Sequence, residues 1–268
     1  MTASTDRARD QARMPVFRAL LGVQALATTV FGAIPLLIPG VFASATGYSG
    51  DDEVIYRLAG AATAGYLVAA VLALSDGVGW ADLRIAIVAT LTFTAAAVVG
   101  SAATLAAGDR HWVVFVVLAA SVAFAAIAAY WLRRGEGAPA DAGEPLGTVA
   151  RGIVGLATIA AAVFGILPLL APSAFASLVN LAGTDLWIYR MAGAACLGYA
   201  AAGVLELRAP GYRSIRIQNS AAIAFNGLSA IACWIAVASG TGGLLAPLIA
   251  VAATFFTFAL GWLAVAAR

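Results

Sequence analysis

Apolar residues run along this chain in eight blocks, separated by short polar or glycine-containing stretches. The blocks lie near 16–38, 55–74, 84–106, 112–132, 149–170, 187–207, 215–238 and 244–266. Each can cross a hydrocarbon core of about 30 Å as an α-helix, which takes roughly 20 residues. Lipid offers no water to an open backbone, so only helices and closed barrels span it. Barrel strands would alternate polar and apolar positions, and these blocks do not. The pattern predicts an all-α integral membrane protein with eight transmembrane helices.

The second half of the pattern repeats the first. "VFGAIPLLIPGVFAS…GDDEVIYRLAGAATAGY" begins at Val30 and "VFGILPLLAPSAFAS…GTDLWIYRMAGAACLGY" begins at Val163. From Val30 to Leu67 the two align without a gap, with 21 identities in 38 pairs. Chance would supply on the order of four in an alanine-rich chain, so duplication is the reading to prefer. A one-residue shift carries the match through "LRIAIVATLTF" and "IRIQNSAAIAF". The expected organisation is a cytoplasmic N-terminal segment (1–15), a four-helix repeat (16–132), a Gly/Pro-rich cytoplasmic linker (133–148) and a second repeat (149–268). An even number of spans per repeat makes the copies parallel, related by a pseudo-two-fold axis along the membrane normal. The expected fold is two bundles meeting at a shared interface.

Charge sets the orientation. Arg7, Arg9, Arg13, Arg18, Arg84, Arg133, Arg134, Arg151, Arg208, Arg213, Arg216 and Arg268 fall on one side of an eight-span chain, and Arg57, Arg110 and Arg190 on the other. The positive-inside rule then places both termini in the cytoplasm of a bacterial-type inner membrane. Composition agrees: 63% hydrophobic, 10% charged, mean hydropathy +0.96. Soluble domains carry about 25% charged residues. A net charge of +2 provides no footprint for nucleic acid. Cys196 and Cys233 lie in apolar runs without metal-ligand spacing, so neither a metal nor another cofactor is expected.

One shared motif carries chemistry: G-x-D-x-x-I-Y-R-x-A-G-A-A-x-x-G-Y, at Gly50–Tyr66 and Gly183–Tyr199. Arg57 and Arg190, held by Asp52 and Asp185 beside Tyr56 and Tyr189, could present two guanidinium forks to a carboxylate or phosphate. The competing reading is a local Arg–Asp pair that pins a helix end at the interface. The glycines and alanines of the motif make a smooth face for close helix packing. Pro35/Pro39 and Pro168/Pro172 are expected to end the first and fifth spans. Asn219 and Asn226, with Gln218, Ser229 and Cys233, mark a polar stripe on the seventh span, either lining a cavity or bonding a neighbouring helix. Thr90, Thr94 and Ser101 mark the matching face of the third. His111 is expected as an exposed loop residue, and Glu206 as an interfacial partner of Arg208.

Three function classes follow. The first is non-enzymatic binding or transport of a small anionic or amphiphilic molecule at the interface of the repeats, through Arg57, Arg190, Asp52, Asp185, Tyr56, Tyr189, Asn219 and Asn226. The second is an accessory subunit packed against other membrane subunits. The third is an enzyme acting on a lipid-like substrate, for which no span supplies a catalytic cluster. No catalytic residue is assigned.

Overall fold

A computed structural model describes residues 2–75, 78, 80–134 and 145–266. They form ten helices: α1 Thr2–Leu37, α2 Pro39–Thr46, α3 Glu53–Ala73, α4 Trp80–Ala106, α5 Trp112–Arg134, α6 Thr148–Leu170, α7 Pro172–Leu178, α8 Leu186–Glu206, α9 Tyr212–Ala238 and α10 Leu245–Ala266. Eight are long and apolar enough to cross a membrane, and they match the eight expected spans to within a few residues. α1 starts at Thr2, so the expected N-terminal segment continues the first helix. Most of the expected linker lies outside the described residues.

Pro39 and Pro172 end the first and fifth spans as expected, whereas Pro35 and Pro168 do not. Pro35 and Pro168 lie inside α1 and α6, while Pro39 and Pro172 open the short helices α2 and α7. At the first helical position the missing N–H has no bond to lose. The proline ring disfavours helical backbone in the residue before it. Ile38 (φ −135°, ψ 62°) and Ala171 (φ −134°, ψ 58°) accordingly leave the helix and break each span from its short successor.

α3 and α8 form the buried centre, with α1, α4, α6 and α9 packed around them and α5 and α10 lying further out against α4 and α9. α1 packs on α3 and α6 on α8, as consecutive elements of one half would. α4, however, packs chiefly on α8, and α9 on α3. The sequential neighbours α3–α4 and α8–α9 hardly touch. The two halves are therefore interleaved, which replaces the expected picture of two bundles at an interface.

The physical cause is the small-residue face of the motif. Gly60 and Gly193 admit the backbones of α1 and α6 from their own halves, while Gly65 faces Tyr199 and the backbone of Ala221 and Gly198 faces Tyr66 and the backbone of Ala89, from the opposite half. Further along, Tyr66 donates its hydroxyl to Ala195 O (2.9 Å) and Tyr199 donates to Ala62 O (3.0 Å). Phe93, Tyr66, Tyr199 and Phe225 stack in a row with successive centroids 4.9, 4.9 and 4.8 Å apart. Leu26, Ile159, Leu248, Phe258 and other large apolar residues stay exposed on the periphery, as lipid-facing positions do.

Candidate functional site

At the end of the bundle that holds the motif, two aspartates exchange partners between the halves. Asp52 and Asp185 occupy the N-cap positions of α3 and α8, yet neither side chain caps its own helix. Asp52 instead accepts from Ala182 N–H (2.8 Å), Gly183 N–H (2.7 Å) and the Tyr189 hydroxyl (2.6 Å). Asp185 accepts from Ser49 N–H (3.1 Å), Gly50 N–H (2.7 Å), the Ser49 hydroxyl (3.1 Å) and the Tyr56 hydroxyl (2.8 Å). Gly50 (φ 77°) and Gly183 (φ 67°) adopt left-handed backbone, which turns these amides toward the opposite carboxylate at no side-chain cost. Both aspartates are buried at 4% exposure, so their charge is met by donors rather than water.

This corrects the expected Arg–Asp pairing. Arg57 bonds Glu53 one turn back (3.1 Å), on a half-exposed surface. Arg190 donates to Thr104 Oγ1 of α4 (3.0 Å), while its Nε is buried without an acceptor. The sequence offsets explain the difference: Glu53 is matched by Leu186, and Thr104 by Ala236. The tyrosines and aspartates of the motif thus act together, and each arginine has a partner of its own. Ser49 and the amides of Gly50, Ala182 and Gly183 escaped sequence reasoning because a backbone donor leaves no mark in residue type.

Beside this clasp, Tyr48 donates to Asp109 Oδ2 (2.7 Å) and lies parallel to Trp187 at 5.6 Å. Rather than standing free, His111 binds Asp109 through Nδ1 (2.6 Å) and its backbone N–H (3.0 Å). Burial pushes the Asp109 carboxyl up, but the His111 amide, the Tyr48 hydroxyl and the His111 ring together hold it below its ordinary 3.8. A carboxyl lowered by folding stabilises the native state above its unfolded pKa. That contribution disappears as pH falls below about 3.8 toward the folded value. The melting temperature of the wild type should therefore drop more between about pH 6 and about pH 3 than that of Asp109→Asn. Parallel pH profiles for the two proteins, followed by intrinsic fluorescence in detergent, would refute this.

Two elongated clefts flank the α3–α8 core. One, bounded by α3, α6, α8, α9 and α10, holds about 1060 Å³ of empty space inside and at its mouth. Its wall on α8 runs from Ala192 to Glu206, about 20 Å at 1.5 Å per residue. α6 and α10, which border it, touch only slightly. The other cleft, of about 810 Å³, lies among α1, α3, α4, α5 and α8 at corresponding positions of the first half. Phe31, Phe42, Ala59 and Phe124 there match Phe164, Phe175, Ala192 and Phe256 in the larger cleft.

The polar stripe of α9 divides between these environments. Asn226, Gln218 and Ser229 line the larger cleft. Asn219 turns away and donates to Tyr212 Oη (3.2 Å) and Leu260 O (3.3 Å), tying α9 to α10. Asn226 donates back to Ala222 O (2.8 Å). Thr90 and Thr94 line the opposite cleft. Glu206, expected at the interface beside Arg208, is instead 7% exposed and lines the larger cleft. A signal for it existed: Glu206 and Gln218 stand where the first half has Ala73 and Ala86.

Cys196 and Cys233 are both buried free thiols. Comparison of the chain with protein-family models, with curated proteins and with solved structures finds no match.

Proposed function

We propose that this polytopic membrane protein is non-enzymatic and binds or transports a small amphiphilic molecule in clefts formed where its two duplicated halves interleave. The observation that supports this most is the larger cleft: long, apolar over most of its wall, with Glu206 and Gln218 at one end and Asn226 and Ser229 further along. An amphiphile matches that distribution, since its chain replaces lipid against the wall and its head meets the polar groups. Corresponding cleft residues and the exchanged Asp–Tyr bonds also support a duplicated chain with a pseudo-two-fold axis along the membrane normal. The arginine bias supports an orientation with both termini cytoplasmic. A small anion fits less well, because Arg57 and Arg190 have partners and Asp51, Glu53 and Asp109 lie at the same end of the helices.

Native mass spectrometry of the detergent-purified protein tests the proposal beside Ala157→Trp, which fills the cleft from α6. The expected result is a discrete amphiphile adduct on the wild type that is absent from the folded variant. A bare wild type that also takes up no added long-chain amphiphile would overturn it in favour of an accessory subunit.

A further inference from the structure

We infer that the Glu206 end of the larger cleft is a head-group site for a long-chain primary amine, with Glu206 as counter-charge and Gln218 as a second acceptor. This deepens the amphiphile reading and rests on it. Glu206 is the last residue of α8, and Gln218 lies on the second turn of α9, so the two helix ends bring them to one end of the same cleft. Glu206 Oε1 is buried with no donor, and Gln218, at 2% exposure, leaves both Oε1 and Nε2 unpartnered. A buried carboxyl and carboxamide without partners are unfavourable in a low-dielectric wall, so a ligand that supplies donors is favoured there.

Among the described residues, no cation bonds Glu206. Arg208, Arg213 and Arg216 are the cations nearest in sequence; all three are exposed, and none bonds Glu206. A primary ammonium is a compact charge with three donors, which suits one carboxylate and one amide oxygen at once. Val154, Ala157, Ala161, Phe225, Phe256 and Leu260 then offer apolar surface to its chain. A fatty acid would bring like charge to Glu206, and a fatty alcohol a single donor without charge. The clefts differ at this point. Ala73 and Ala86 occupy the corresponding positions of the first half and line a separate, smaller pocket rather than the second cleft, so amine selectivity belongs to the larger cleft and one amine should bind per chain.

The test is native mass spectrometry from lipid nanodiscs with hexadecylamine, hexadecanol and hexadecanoic acid, titrated against wild type, Glu206→Gln and Gln218→Leu. Hexadecylamine should bind the wild type one to one and about tenfold more tightly than the other two probes. Glu206→Gln should erase that preference while hexadecanol binding stays unchanged, and Gln218→Leu should weaken the amine about threefold. Equal binding of amine and alcohol to the wild type, or an amine preference that survives Glu206→Gln, would overturn the head-group assignment and leave the amphiphile reading standing. Failure of all three probes on the wild type would overturn both. If Glu206→Gln does not fold, the amine-to-alcohol ratio on the wild type decides alone.

Discussion

Asp185→Ala should destabilise the detergent-purified protein by about 3 kcal/mol or more, because it strips the partners from two backbone amides and a buried tyrosine hydroxyl together. Gly50 N–H, Ser49 N–H and the Tyr56 hydroxyl all donate to this one carboxylate. Each buried donor left unpaired costs about 1–3 kcal/mol, and water reaching the exposed edge near Ser49 offsets part of the sum. Asp52→Ala should cost a similar amount through Ala182, Gly183 and Tyr189. Arg57→Gln, by contrast, removes only a half-exposed pair one turn along its own helix, worth about 0.3–0.5 kcal/mol. The ranking is read from thermal unfolding followed by size-exclusion chromatography. If Arg57→Gln proves as harmful as Asp185→Ala, the clasp does not join the halves as described.

Gly65→Ala and Gly198→Ala should be strongly damaging single-methyl additions at the contact between the two halves. A methyl on Gly65 would overlap the Tyr199 hydroxyl and lie 2.7 Å from Ala221 O. One on Gly198 would overlap the Tyr66 hydroxyl and lie 2.6 Å from Ala89 O. The hydroxyl could swing aside, at the loss of its bond to Ala62 or Ala195, but a backbone carbonyl within a packed helix cannot. Overpacking of this kind costs about 1–3 kcal/mol, to which the lost hydrogen bond adds about 1 kcal/mol. The pair Gly65→Ala with Tyr199→Phe separates the two contributions in a double-mutant cycle. The phenylalanine should recover the hydroxyl clash and leave the carbonyl clash in place. Full additivity of the two substitutions would mean that Gly65 and Tyr199 do not meet.

These glycines show how much of the site could be read from residue type. The motif was visible because it occurs twice, and its Gly–Ala face announced close packing, since small residues are what backbones need to approach in lipid. What approaches each glycine was not visible. Gly60 and Gly193 receive a helix of their own half, while Gly65 and Gly198 receive a tyrosine and a helix from the opposite half. Both kinds look alike as small residues spaced along one helix. Asp52 and Asp185 present the same difficulty, for an aspartate just before a helix suggests a cap for that helix. Their donors lie some 130 positions away in sequence, and most are backbone amides.

Local hydropathy alone marked out eight helices long and apolar enough to span a bilayer, because the cost of exposing a polar backbone or side chain to lipid is set residue by residue along each block. Residue identities along the chain likewise displayed a motif that occurs twice. Only the tertiary structure decided that α4 packs on α8 and α9 on α3, that the aspartates bind loops rather than arginines, and that Glu206 faces a cleft instead of the interface. Lipid is as apolar as the helices themselves, so hydrophobicity does not select which helix meets which. That choice falls to shape and to a few buried hydrogen bonds, whose two partners are brought together only by the folded chain.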